Sequence, residues 1–168
     1  KNLNILFVCE NNFYSVYSPM NVRQFEKRSA LNLAKSHGLQ GNHGDGSSVM
    51  EVIKKTKDGI KYIKKNKKPF FLELQTYRFI EHCGPNNDDN LKYRNKNEID
   101  KWLKKDPIPM YRQRLLDYGI KEEVVSGIEE AVLQAVDEAT EAAKASPTPP
   151  LEYAYTDVWA DGGSSWRN

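Results

Sequence analysis

Asn11 and Asn12 follow directly on a short apolar run, Asn4-Ile5-Leu6-Phe7-Val8-Cys9. Polar residues in such a place suit a turn. They equally suit an oxygen-ligand site. An Asn side-chain oxygen, a nearby main-chain carbonyl and phosphate oxygens make the shell that a hard cation such as Mg2+ prefers. His82 stands in Tyr77-Arg78-Phe79-Ile80-Glu81-His82-Cys83. A lone loop histidine is more often solvated or structural than reactive. Next to Arg78 and Glu81, beyond the end of a strand, it is also placed to donate to a phosphate or move a proton near neutral pH.

Other candidates are weaker. His37 falls at a helix end and His43 in a Gly-rich turn. Cys83 adjoins His82, but sequence neighbours seldom share the geometry that a nucleophile and its base require. Cys9 reads as a core residue. The stretch Gly41-Asn42-His43-Gly44-Asp45-Gly46 has neither the Walker lysine pattern nor a GxGxxG at a strand-to-helix turn, which excludes a nucleotide loop. Two cysteines without CxxC spacing exclude a disulfide framework and a zinc site, and point to a reducing compartment.

The elements that must position these residues can be read from apolar spacing. Asn4 to Cys9 reads as a fully buried strand of a parallel sheet. Val22, Phe25, Ala30, Leu33 and Ala34 predict a helix over residues 22–36, stopped by His37-Gly38. Residues 41–46 read as a loop with at most one short strand. Ser47-Ser48 caps a helix over about residues 49–65, and residues 69–74 form another short buried strand. Alternating strands and helices of this kind predict an α/β fold: a parallel sheet with flanking helices. Ligands bind beyond the carboxyl ends of such strands. That rule selects the segments 10–18 and 75–93, the second long enough to be functional or mobile.

Downstream the pattern is helical. Asn97 opens a short helix through Leu103, and Asp106-Pro107 starts another that ends near Gly119. The clearest helix runs from Lys121 to Ala145, with Val124, Ile128, Val132, Ala135, Val136 and Ala139 at helical spacing. Ser146-Pro147-Thr148-Pro149-Pro150 ends it. Tyr153, Tyr155 and Trp159 predict that part of the tail packs. The expected divisions are residues 1–96 (α/β), 97–145 (its helical extension) and 146–168 (a C-terminal tail).

Net charge is +2, from 25 basic and 23 acidic residues, which does not suggest a nucleic-acid partner. The lysines between Lys54 and Lys68 alternate with apolar residues and read as the wet face of an amphipathic helix. No apolar run approaches a membrane span.

Taken in register, several segments resemble one family. Phe7-Val8-Cys9-Glu10-Asn11-Asn12-Phe13-Tyr14 is similar to the "CENNxY" end of the thiamine diphosphate motif. Gly38-Leu39-Gln40-Gly41 with Asp45-Gly46 resembles "GIPG…VDGND", and Leu72 to Arg78 resembles "xExxTYR". His82 falls at the histidine of "GHS". Tyr93-Arg94, Glu98, Trp102 and Asp106-Pro107-Ile108 resemble "YRxxxExxxW…DPI". The likeness runs from about residue 4 to residue 119, in order and spacing. The family is the alpha subunit of thiamine-diphosphate-dependent 2-oxo acid dehydrogenases of pyruvate, branched-chain or acetoin type.

The resemblance implies the C-terminal part of a thiamine-diphosphate-binding fold, followed by a helical segment. It implies thiamine diphosphate and Mg2+ as cofactors. Asn12 would ligate the metal through its side-chain oxygen and Tyr14 through its main-chain carbonyl. His82 would sit over the diphosphate and reacting centre. Tyr77-Arg78 and Asp45-Gly46 would support the loops, and Tyr93-Arg94 would order the mobile one. A 2-oxo acid would be decarboxylated, or acetoin cleaved, and the acyl unit passed to lipoamide on a lipoyl transacylase. In this family a beta-subunit glutamate completes the site, so a heterotetramer is expected and this chain alone is expected to be inactive. A bacterial cytoplasm or a mitochondrial matrix fits the family.

Departures mark a divergent branch. The Gly-Asp-Gly half of the motif is expected roughly thirty residues before Asn12, upstream of Lys1. Glu81 replaces a glycine, Cys83 a serine that some members phosphorylate, and Ser47-Ser48 an Asn-Asp pair. Two further readings fit the same residues: a thiamine-dependent decarboxylase not linked to lipoamide, and a truncated, non-catalytic module that pairs with a beta subunit.

Overall fold

A computed structural model of the chain describes residues 3–26, 28–154 and 156. They fall into two compact units, one reaching to Arg114 and the other starting at Leu115.

The first unit is built on a parallel sheet. Its strands are β1 (Leu6–Asn11), β4 (Gln40–Asp45) and β5 (Phe70–Gln75), in the order β1-β5-β4. Two short strands, β2 (Tyr14–Ser15) and β3 (Ser18–Pro19), make a separate hairpin directly after β1. The central strand β5 has the composition for its place: Phe-Phe-Leu-Glu-Leu-Gln is largely aromatic and aliphatic, and Leu72 is fully buried. Leu6 and Gln40 both pair with Phe70, and Asn11 and Asp45 both pair with Gln75. The three carboxyl ends are therefore level.

Helices α2 (Ala30–Ser36) and α3 (Val49–Asn66) cover opposite faces of the sheet. Side chains alternate along a strand, so Phe70, Leu72 and Leu74 face one way and Phe71 and Glu73 the other. Tyr62 of α3 packs on the Phe70 ring with centroids 5.3 Å apart. A Cβ added at Gly59 would lie 3.0 Å from the same ring, so glycine lets α3 approach closely. On the other face the Leu31 amide at the start of α2 donates to Glu73. Both helices are capped as residue type dictates: Ser29 accepts from the Asn32 amide and Ser48 from the Glu51 amide. His37 and Gly38, with φ +84°, end α2 as expected. The lysines of α3 lie along its solvated side, while Gly59 and Ile63 are buried.

Three expectations change. The strand Asn4–Cys9, expected to be fully buried, is instead β1, which lies at the edge of the sheet among the described residues, with Phe7 and Val8 about half exposed. It runs on through Glu10 and Asn11 because both pair with β5. The single helix expected over 22–36 is broken into α1 (Met20–Arg23) and α2, since Gln24 is extended and Ser29 offers a new cap. Residues 41–46 contribute more than a short strand within a loop: β4 is six residues long. Its glycines explain this. A Cβ at Gly41 would stand 2.5 Å from the Phe71 carbonyl and 2.6 Å from Leu31 Cδ1, so absence of a side chain permits the close pairing.

Helix α4 (Lys96–Leu103) is capped by Asn95 and belongs to the same unit. Helix α5 (Pro107–Asp117) has Asp106 Oδ1 accepting from the Ile108 amide at its start. Gly119, at φ +84°, follows its end. Helix α6 (Glu122–Ala145) carries its apolar stripe outward: Val124, Ile128, Val132 and Val136 are each more than half exposed, and Val125 is buried. In the tail Tyr153 is largely exposed rather than packed. Tyr155 and Trp159 lie outside the described residues. Among the described residues no helix is long and apolar enough to cross a membrane.

Candidate functional site

The level carboxyl ends of the sheet start three loops side by side. The Thr76 amide donates to the Asn11 carbonyl at 3.0 Å, and the Gly46 amide to the Gln75 carbonyl at 2.6 Å. A Cβ on Gly46 would lie 2.6 Å from that carbonyl. The role given to Asp45-Gly46 as a support is visible here, with Asp45 Oδ1 also accepting from the Ser47 amide.

The loop after β1 is a sequence of tight turns. Asn11 Oδ1 accepts from the Phe13 amide and Asn12 Oδ1 from the Tyr14 amide, each at 3.0 Å. Phe13 (φ 66°) and Val16 (φ 54°) are left-handed. A β-branched residue in that region is strained, so the surrounding contacts must hold the turn. They include the Met20 amide on the Phe13 carbonyl at 2.8 Å. Antiparallel pairs alternate between bonded and non-bonded positions. With Phe13 and Met20 bonded, the next pair, Tyr14 and Pro19, is non-bonded. The Tyr14 carbonyl therefore points out of the hairpin, and proline at 19 has no N–H to offer it in any case.

Tyr14 is fixed at its other end. Its hydroxyl donates to the Glu98 carboxylate of α4, lying 3.0 and 2.9 Å from the two oxygens. Its ring meets Tyr93 edge-on at 5.7 Å and Tyr77 at 6.5 Å. Burial, and then the hydrogen bond to Glu98, push the Tyr14 phenol well above its ordinary value. It is therefore a neutral donor at any physiological pH.

The loop after β5 holds His82 on the surface. Arg78 is its link to the rest of the site. One guanidinium nitrogen lies 3.4 Å from His82 Nδ1; the other donates to the Val16 carbonyl at 2.9 Å and to the Tyr93 hydroxyl at 2.8 Å. A guanidinium only donates, so Nδ1 is assigned as acceptor and the ring proton to Nε2. The structure thus brings Asn12 and Tyr14 together in one turn. His82 approaches that turn through Arg78; no direct hydrogen bond from His82 to Asn12 or Tyr14 occurs among the described residues.

Beneath this loop lies a buried charged cluster. Asp88 is 2 % exposed, accepts from the Tyr93 hydroxyl at 2.6 Å and is paired with Arg94. Arg94 also reaches Asp89 at 3.0 Å and sits over the Tyr93 ring at 5.0 Å and the Tyr77 ring at 5.6 Å. Tyr77 in turn stacks on Trp102 of α4 with centroids 5.3 Å apart and planes 5° from parallel. Burial, then the bond to Asp88, raises the Tyr93 phenol. Tyr93 and Arg94 therefore order the 76–94 loop, as expected.

Two supporting residues had no assigned role in the sequence. Glu73, 4 % exposed, accepts from Asn11 Nδ2 at 2.7 Å and from the Leu31 amide at 2.8 Å, and so aims the Asn11-Asn12 turn. A carboxylate within a buried strand was the available signal, since such a group must be satisfied. Asp88 offered no signal among its polar neighbours. Cys9, expected in the core, is half-buried on the edge strand instead; burial, then Glu73 and Glu10, raise its thiol.

A parallel sheet with helices on both faces defines an α/β domain of the doubly wound class, in which ligands bind beyond the carboxyl ends of the strands. Within that class the chain belongs to the dehydrogenase E1 component family, whose match covers residues 1–152. It is 31% identical over 158 residues to the pyruvate dehydrogenase E1 component subunit alpha of Rickettsia conorii, covering 94% of this chain and 47% of that protein. It is 28% identical over 158 residues to the 2-oxoisovalerate dehydrogenase subunit alpha of Bacillus subtilis, covering 91% and 47%. The mitochondrial pyruvate dehydrogenase E1 component subunit alpha of Dictyostelium discoideum is 30% identical over 162 residues, covering 94% and 41%. The chain spans less than half the length of these curated relatives.

Proposed function

We propose that the chain is part of the alpha subunit of a thiamine-diphosphate- and Mg2+-dependent dehydrogenase. The enzyme decarboxylates a 2-oxo acid (or cleaves acetoin) and transfers the acyl group to lipoamide. One observation carries the reading. The Asn12 amide oxygen and the outward Tyr14 carbonyl belong to one stiff turn beyond the carboxyl edge of the sheet. Two neutral oxygens two residues apart in one turn suit a hard cation, with the remaining ligands from a diphosphate and from a carboxylate elsewhere in the protein. Asn12 Oδ1 already accepts from the Tyr14 amide, and an amide oxygen retains a second lone pair for the metal.

The cofactor supplies the electron sink for decarboxylation when bound. This chain's residues hold and orient. Asn12 and Tyr14 grip the metal. His82, with its proton assigned to Nε2, donates toward the diphosphate and reacting centre. Arg78 keeps His82 beside the metal turn. The names of the relatives favour pyruvate or a branched-chain 2-oxo acid as substrate. They also favour a bacterial cytoplasm or the mitochondrial matrix as the compartment. The partners are a beta subunit, in a heterotetramer, and a lipoyl transacylase. The exposed apolar stripe of α6 supports a protein partner.

The test is calorimetric titration of thiamine diphosphate, at several Mg2+ concentrations, into the full alpha subunit assembled with its beta subunit. Asn12→Ala should weaken Mg2+-dependent binding at least tenfold, about 1.4 kcal/mol. Unchanged affinity would overturn the metal role of this turn.

A further inference from the structure

Tyr14 is restrained more completely than a side chain on a surface hairpin needs to be. Its amide is held by Asn12 Oδ1 at 3.0 Å. Its ring is boxed edge-on by Tyr77 and Tyr93. Its hydroxyl meets the Glu98 carboxylate at 3.0 and 2.9 Å, across 84 residues of sequence. The carbonyl points away from its hairpin partner. A peptide carbonyl has no torsion of its own, so its direction follows the backbone, which is held on one side by the Asn12 bond to the Tyr14 amide and on the other by the anchored side chain.

We propose that Glu98 is a positioning residue for the metal-binding turn: from α4 it anchors the Tyr14 hydroxyl and so sets the direction in which the Tyr14 carbonyl meets the cation. The inference rests on the reading of Asn12 and Tyr14 as metal-holding groups. Glu98 does not itself touch the metal; it acts through Tyr14. The anchor is needed because the turn is locally strained. Phe13, immediately before Tyr14, and Val16, two residues after it, are both left-handed. Without a distant hold those residues would relax toward ordinary backbone and rotate the peptide between them. A Mg2+ site tolerates such rotation poorly, since it demands near-ideal octahedral geometry with short bonds. Glu98 is suited to the task by its element. Helix α4 is capped by Asn95, and Trp102, one turn further along, stacks on Tyr77 beside the Tyr14 ring.

The experiment measures Mn2+ binding by electron paramagnetic resonance, with thiamine diphosphate present, in the assembled alpha–beta protein. The variants are Asn12→Ala, Tyr14→Phe, Glu98→Ala, Glu98→Gln and the Tyr14→Phe/Glu98→Ala pair. Melting temperatures are recorded alongside. Tyr14→Phe keeps the carbonyl and removes only the hydroxyl. We expect it and Glu98→Ala each to raise the Mn2+ dissociation constant about fivefold, the net scale of one ordinary hydrogen bond, because the lost contact acts on the metal only through the direction of the carbonyl. The double variant should be no weaker than either single one, because both remove the same contact. Glu98→Gln, which can still accept from the hydroxyl, should recover affinity to within about twofold. Wild-type Mn2+ affinity in Tyr14→Phe and Glu98→Ala, with Asn12→Ala weakened, would overturn the positioning role and leave the metal site standing. Glu98→Gln as weak as Glu98→Ala would also overturn it. Unchanged affinity in Asn12→Ala as well would remove the metal reading beneath it.

Discussion

The carboxylate of Glu73, in the middle of the central strand, lies 2.7 Å from the side-chain nitrogen of Asn11, the last residue of the neighbouring strand. Its other oxygen holds the Leu31 amide in the first turn of α2. One buried acid thus joins two strands and a helix, directly behind the turn that presents Asn12 and Tyr14. The helix amide adds partial positive charge of its own at that end. The acid is therefore hydrogen-bonded on both oxygens, with no cationic partner among the described residues.

Removing Glu73 leaves Asn11 Nδ2 and the Leu31 amide buried without acceptors, at about 1–3 kcal/mol each. Glu73→Ala should therefore destabilise the protein by about 3 kcal/mol, read from the midpoint of urea unfolding. Glu73→Gln retains one acceptor and should lose roughly half as much. Equal midpoints for wild type and Glu73→Ala would show that the acid is dispensable.

Asp88 and Arg94 make a different kind of contact, since both are charged and both are buried. Breaking such a pair costs about 3–5 kcal/mol when one charge is left behind. The cluster closes a loop, however, and a loop can open to water instead. Asp88→Ala should thus appear as faster hydrogen exchange in residues 78–94, with the sheet protected as before. Uniform protection across that loop in the variant would contradict the role given to Asp88.

These two acids show what the sequence made legible. The alternation of short apolar runs with helical spacing was sufficient for a parallel α/β sheet, and its carboxyl-end rule pointed to the loops that follow β1 and β5. The edge position of β1 was not legible. Phe7 and Val8 read as buried because an apolar run does not reveal whether a second strand covers its far side. Glu73 is a charge within an apolar strand, but its partner Asn11 lies 62 residues away, so its role was not legible. Asp88 is one polar residue in Asn86-Asn87-Asp88-Asp89, and only the fold decides that it is the buried one. The hold of Glu98 on Tyr14 depends on where α4 docks, which periodicity does not encode.

Gly46 closes the edge of the sheet by approaching the Gln75 carbonyl more closely than any side chain would allow. Gly46→Ala places a methyl group 2.6 Å from that oxygen, where backbone must shift rather than a flexible side chain. A loss of about 1–3 kcal/mol is expected, together with weaker Mg2+-dependent cofactor binding if the loops beyond the edge move apart. Gly127→Ala, where a Cβ meets nothing within 4 Å, is the matched control and should not destabilise. Equal melting temperatures for the two variants would sink the argument.

Tyr77 ties stability to alkaline pH. Burial, and then the Glu98 carboxylate, raise its phenol from 10.0 to about 12, against the lowering effect of Arg94. A group held protonated more tightly in the folded state contributes fully below its unfolded pKa. That contribution disappears as pH rises through the folded value. Stability should accordingly fall between about pH 10 and pH 12. The Tyr77 hydroxyl is buried without a hydrogen-bond partner among the described residues, so Tyr77→Phe should be neutral or mildly stabilising at pH 8. It should also make the alkaline decline shallower, with Tyr14 responsible for the remainder. Urea midpoints measured from pH 8 to pH 11.5 would reveal it, and parallel declines in the two proteins would refute the assignment.

His82 and Arg78 separate orientation from chemistry. The guanidinium lies 3.4 Å from Nδ1, holds the ring toward the Val16 carbonyl of the turn after β1, and leaves Nε2 as the donor. His82→Ala should leave thiamine diphosphate and Mg2+ affinity near wild type, because neither proposed ligand depends on the ring. It should lower turnover of the assembled enzyme roughly a hundredfold, the scale of a lost proton-transfer group. Arg78→Lys retains a charge but not the forked geometry that spans Val16, Tyr93 and His82 together. Its turnover should fall as well, while Tyr93 and Arg94 still close the loop on Asp88. Full activity in His82→Ala would return that residue to a solvated loop position. Full activity in Arg78→Lys, with His82→Ala impaired, would mean that the ring orients itself without the guanidinium.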